Sequence, residues 1–150
     1  MIGQGLVSIL DPRLTEIPIH RPKSSMVKIV LVLLGGAFGT GLRYFLSIFI
    51  YSRVKEPTFP YANLMINVSG SFLIGLLAEL FDSRILVAPV TRVALLTGVL
   101  GGYTTFSSFT FETVSLLRDG EFWLATLNVS LSVALGLAAV WMGMRLAQLL

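Results

Sequence analysis

Apolar residues fall into four blocks of membrane-spanning length, at about 28–51, 63–81, 93–117 and 122–144. No block contains a proline. All six (Pro12, Pro18, Pro22, Pro57, Pro60, Pro89) lie before or between the blocks, as expected of helices joined by short polar loops. Tyr51, Tyr61, Trp123 and Trp141 sit near block ends, where amphipathic rings favour the headgroup level. The pattern predicts an all-α integral membrane protein with four transmembrane helices, and leaves no room for a soluble domain.

The third block is not uniform. Residues 101–112 read Gly-Gly-Tyr-Thr-Thr-Phe-Ser-Ser-Phe-Thr-Phe-Glu. Paired glycines, a cluster of hydroxyls and a carboxylate predict a helix broken in mid-membrane. Backbone freed by such a break must be buried in protein or line an aqueous path, so the break is a candidate ion or substrate site. The competing reading is close helix packing through small residues.

Composition fits the membrane reading: 55% hydrophobic, 13% charged, mean hydropathy +0.84. Soluble domains carry nearly twice that charge. The chain has no cysteine, and its one histidine, His20, lies in the proline-containing N-terminal region. No nucleophile–base set can be assembled and no span holds paired carboxylates, so an enzyme is not expected. The net charge of +3 fits loop lysines and arginines rather than nucleic-acid binding. Residues 1–27 are expected to form a cytoplasmic tail; the short apolar run 5–10, ended by Asp11-Pro12, is no signal-peptide core. Residues 28–150 are expected to form the transmembrane domain.

The basic residues bear on orientation. One side holds Arg13, Arg21, Lys23, Lys28, Arg84, Arg92 and Arg145; the other holds Arg53, Lys55 and Arg118. The first side is expected to be cytoplasmic. Without the four from the tail and its junction, the balance is three against three. A core so balanced can insert in either direction and pair antiparallel, closing a two-fold assembly. A single orientation fixed by the tail is the alternative.

Polar side chains inside spans are costly and usually functional. Arg43, in the first block, either snorkels to the interface or lends positive potential to an anion route. Asn67 begins a stripe with Ser71, Ile74 and Ala78 at helical spacing; its amide either bonds a neighbouring helix or donates to an anion. Glu112 either caps backbone or pairs with a cation. Phe106 and Phe109 share a helix face, among Thr104, Thr105, Ser107, Ser108 and Thr110. Aromatic ring edges are positive, so they can line an anion path without binding too tightly for release.

These residues resemble the Fluc fluoride channels, also called CrcB. The resemblance covers about residues 28–148. It rests on Gly-Gly-x-x-Gly-x-Gly-x-Arg-Tyr at 35–44, Asn-Leu-x-x-Asn-x-x-Gly-Ser-Phe at 63–72, and Gly-Gly-x-Thr-Thr-Phe-Ser-x-Phe at 101–109 with Glu112. It implies a bacterial inner-membrane channel exporting fluoride to relieve its toxicity, built as an antiparallel, dual-topology homodimer with two pores. It assigns the pore to Asn67, Phe106, Phe109 and Ser107 and the vestibule to Arg43. It also implies a structural sodium ion at the dimer centre, held by backbone carbonyls of Gly101 and Thr104. One departure stands out. Members tend to carry hydroxyls deep in the fourth helix, whereas residues 133–140 here are apolar, with Ser130 and Ser132 nearer its start. Small proton-coupled multidrug exporters are the alternative, but they need a carboxylate in the first helix, where this chain has Arg43.

Overall fold

The computed structural model describes residues 23–54, 58–83 and 85–150. Most of the expected tail, and Lys55 and Arg84 of the charge count, lie outside the described residues.

Three helices are long and apolar enough to cross a membrane. They are α1 (Lys23–Tyr51), α2 (Tyr61–Ser83) and α6 (Phe122–Leu149). The helix of the first block thus begins ahead of the expected residue 28. The third block is assembled from pieces. Pro89 opens α3 (Pro89–Val93), where its missing N–H costs nothing. A π-helical segment, Ala94–Leu100, follows, then the single turn α4 (Gly101–Tyr103). Two extended residues, Thr104 and Thr105, separate α4 from α5 (Phe106–Arg118). Gly120, at φ 80°, ends α5: its N–H bonds the Leu117 carbonyl and that of Glu121 bonds the Leu116 carbonyl. This left-handed closure suits glycine and turns the chain directly into α6.

Glycines set how close the helices come. A Cβ on Gly75 would strike the Val140 carbonyl, and one on Gly143 would strike the Phe72 carbonyl. Small residues on α6 therefore allow its close packing against α2, with Ala139 and Gly143 both buried. On the other side α1 presses against the third block. A Cβ on Gly35 would lie 2.8 Å from the Ala94 carbonyl oxygen, one on Gly98 2.9 Å from that of Val32, and one on Gly39 would strike the Val99 carbonyl. Small residues four apart permit such backbone contact. Outward-facing surface is largely apolar, including Leu33, Phe38, Phe45 and Leu137, as hydrocarbon surroundings allow.

The glycine pair at 101–102 does not break the helix. Gly101 keeps helical dihedrals (φ −64°, ψ −35°), and among the described residues Gly120 is the glycine with positive φ. Gly102 is needed for close approach, because a Cβ there would strike the Gly36 carbonyl. The break falls instead at Thr104 (φ −84°, ψ 158°) and Thr105 (φ −152°, ψ 117°).

Candidate functional site

Extended backbone inside an apolar bundle needs substitute partners, and Asn67 on α2 supplies them. Its Oδ1 accepts the Thr105 N–H at 2.9 Å, and its Nδ2 donates to the Thr105 carbonyl at 3.2 Å. The same Nδ2 donates to Asn63 Oδ1 at 3.0 Å, and Asn63 Nδ2 donates to Glu112 Oε2 at 2.7 Å. Thr105 then caps α5: its Oγ1 accepts the Ser108 N–H at 3.2 Å. A hydroxyl at this position satisfies a donor that the helix start leaves over.

These bonds divert two helical donors. The Thr105 N–H would otherwise close onto the Gly101 carbonyl, and the Ser108 N–H onto that of Thr104. Both carbonyls lose those partners at the break. Thr104 spends its own N–H and Oγ1 on the Leu100 carbonyl, each at 3.0 Å.

A cavity lies on each side of the break, and Thr105 lines both. The first, about 300 Å³, is lined by Thr40, Arg43, Ser47, Tyr51, Asn63 and Glu112, among others. Arg43 is half-buried there, and Ser47 donates to its carbonyl at 2.9 Å. Among the described residues no carboxylate pairs with the Arg43 guanidinium; the ion pair described is Arg92 with Asp82. Arg43 thus has no direct ion pair, and the Glu112 carboxylate lines the same cavity. Glu112 Oε2 accepts from Asn63 Nδ2, and among the described residues it forms no ion pair with a basic side chain.

The second cavity is a groove of about 400 Å³. Asn67, Ser71 and Ile74 of the predicted α2 stripe line it, together with Thr104, Phe106 and Phe109; Ala78 is not part of it. The two rings stand 5.6 Å apart between centroids, tilted at 50°. From α6 come Ser132 and Val133. Ser132 is thus the α6 serine in the groove lining, but its hydroxyl oxygen is buried and has no hydrogen-bond partner, while Ser130 is exposed. Ser107 lines neither cavity. It is exposed, its Oγ 3.2 Å from Thr105 Oγ1, and its neighbour Ser108 faces the first cavity.

Three residues of this architecture went unassigned in the sequence: Asn63, Thr105 as a cap, and the fully buried Asn128 of α6. The spacing of Asn63 and Asn67, one turn apart on a single face, is a signal that was there to find. So is an asparagine in an otherwise apolar span.

The family model described as "CrcB-like protein, Camphor Resistance (CrcB)" matches residues 30–144. The fluoride-specific ion channel FluC of Solibacter usitatus is 48% identical over 122 residues, 81% of this chain and 99% of that protein. The FluC of Paramagnetospirillum magneticum is 48% identical over 120 residues, 79% of this chain and 93% of that protein. That of Citrifermentans bemidjiense is 44% identical over 125 residues, 83% of this chain and the whole of that protein.

Proposed function

This chain belongs to the CrcB-like protein family, and we propose that it is a fluoride-specific ion channel, a multi-pass membrane protein and not an enzyme. The observation that carries this reading is the convergence of Phe106, Phe109, Asn67 and Ser132 on one groove beside a helix break. Arg43 brings a guanidinium with no direct ion pair to the adjoining cavity, which Glu112 also lines, and its positive potential favours an approaching anion. Within the groove no full charge holds the ion. Ring edges offer weak, fixed positive ends instead, so an ion can shed water, bind and leave. Both amide hydrogens of Asn67 have protein partners, so its part in the path is to hold the break open. No acidic residue occurs in α1, which removes the support for a proton-coupled exporter.

Liposomes containing the full chain should lose fluoride far faster than chloride. A narrow set of fixed donors suits the smaller ion, because a larger one cannot reach all of them at once. Equal fluxes of the two ions, or none of either, would overturn this reading.

The reading includes four membrane crossings, by α1, α2, the broken third block and α6, and an antiparallel homodimer. Two features support the second copy: the balanced loop charges, and the 77% exposure of Phe106 in a single protomer, which leaves one wall of the groove to be supplied. Residues 1–27 act as the cytoplasmic tail that biases insertion, and 28–150 as the channel. A chain lacking the tail, with one cysteine placed in the loop between α1 and α2, should be labelled from both faces of the membrane. Labelling from one face only would refute dual insertion.

The diverted carbonyls of Gly101 and Thr104 are neutral oxygen ligands of the kind a sodium ion accepts. Among the described residues there is no cluster of His, Cys, Asp or Glu to hold a metal, so backbone donors from two copies are the fitting set. An ion bound there would supply fixed positive charge near the anion path. Thr104→Val should leave sodium dependence of flux intact, since the ligand is backbone. Gly101→Val should fold yet fail to pair, because nothing in one protomer lies within 4 Å of a Cβ there. Unchanged flux when a bulky organic cation replaces sodium would remove this site.

A further inference from the structure

Asn128 is 1% exposed, and with Ile66 it is one of the two largest fully buried side chains. A carboxamide shut into apolar surroundings is costly unless it is bonded. Asn128 Nδ2 donates to Thr113 Oγ1 at 2.9 Å, and that hydroxyl donates to the Phe109 carbonyl at 2.7 Å. A relay thus runs from α6, across the helix interface, to the backbone of a groove phenylalanine. Asn128 itself lines neither cavity beside the break.

Two placements give the relay a purpose. Asn128 lies one turn before Ser132 on the same face of α6, and Ser132 contributes to the groove. On the other side, α5 follows two extended residues. Its position is not inherited from the helix before it and must be fixed by lateral contacts. Threonine bonded back to the carbonyl four residues earlier also bends a helix, so the state of Thr113 affects the turn that carries Phe109.

We propose that Asn128 is a positioning residue for anion passage: through Thr113 it fixes the backbone of Phe109 relative to Ser132 and so sets the gap that favours the smaller ion. This rests on the groove being the fluoride path.

The test uses the full chain in liposomes with Asn128→Leu, Thr113→Val, their double mutant, and Thr113→Ser, which keeps the hydroxyl. Asn128→Leu and Thr113→Val should each lower the fluoride-to-chloride permeability ratio by on the order of tenfold, the scale of a strong hydrogen bond between membrane helices. The double mutant should fall no further, and Thr113→Ser should match the unsubstituted chain. Loss of folded protein alone would lower total flux and leave the ratio of the active fraction unchanged. Should Asn128→Leu not be recovered, Thr113→Val against Thr113→Ser decides. A fluorine label on the Phe109 ring gives a second readout: its resonance should move in Asn128→Leu and Thr113→Val alike, and stay put in Thr113→Ser. Unchanged ratios, losses that multiply, or an unmoved resonance would overturn the proposal. A moved resonance in a chain with no fluoride preference would instead keep the positioning role and overturn the channel reading.

Discussion

Asn67→Leu is expected to lower fluoride flux by on the order of a hundredfold or more, the largest loss for any single side chain in the protein. Leucine matches the size of asparagine and can make none of its bonds. Three are lost: with the Thr105 N–H, with the Thr105 carbonyl and with Asn63 Oδ1. Leaving a buried polar group unpaired costs about 1–3 kcal/mol. Two such groups on Thr105 give roughly 2–6 kcal/mol, and each 1.4 kcal/mol is a factor of ten. The chain has a way to avoid that cost. Thr105 can return its N–H to the Gly101 carbonyl and continue the helix through the break. That would swing Phe106 and Phe109 away from the groove and close the carbonyls of Gly101 and Thr104. Asn67→Asp keeps the acceptor for the Thr105 N–H and should be damaged less. Wild-type flux in a folded Asn67→Leu chain would sink the bracing role. Equal losses in both mutants would point instead to direct donation from the amide to the anion.

Membrane sequences make some features unusually legible. Four apolar blocks and the interruption of the third could be read directly, because unpaired backbone and polar side chains are so costly in hydrocarbon. The groove residues Asn67, Ser71, Ile74, Phe106 and Phe109 were legible for the same reason, since helical spacing put them on shared faces. The site of the break was not. Gly101 and Gly102 look like the natural breakers, yet they are helical and Gly102 serves contact with Gly36. Thr104 and Thr105 look like ornament. What makes them extended is a partner 38 positions away in sequence, Asn67, and no local pattern shows that. The register of α5 depends on the same event. Once Thr105 is the cap, Ser108 faces a cavity and Ser107 does not, since neighbouring helix positions point about 100° apart. The π-helical segment Ala94–Leu100 is likewise silent in sequence, as a largely apolar run with one threonine fits either ladder. The bond that settles Glu112 comes from Asn63, 49 positions distant.

Phe106→Ile and Phe109→Ile are expected to cut fluoride flux by roughly tenfold or more each while the protein still folds, because the change removes a ring quadrupole and little else. Phe106 gives the cleaner test. At 77% exposure in the protomer, its side chain adds little to the packing of a single chain, so a folding defect would be hard to attribute to its loss. Phe109 is half-buried, and apolar swaps of similar bulk typically cost less than about 1.5 kcal/mol in a core. Neither substitution touches a hydrogen bond, because the Phe106 and Phe109 carbonyls that accept from Thr110 and Thr113 are backbone. What changes is the electrostatic surface of the groove. The tilted rings, 5.6 Å apart, can present edge hydrogens to an anion, and isoleucine presents only weakly polar methyl groups. A channel that relied on Phe106 and Phe109 for bulk alone would keep its flux in both mutants. If reconstituted Phe106→Ile and Phe109→Ile chains pass fluoride at the wild-type rate, the rings are packing, and the anion must be served by other polar groups of the groove.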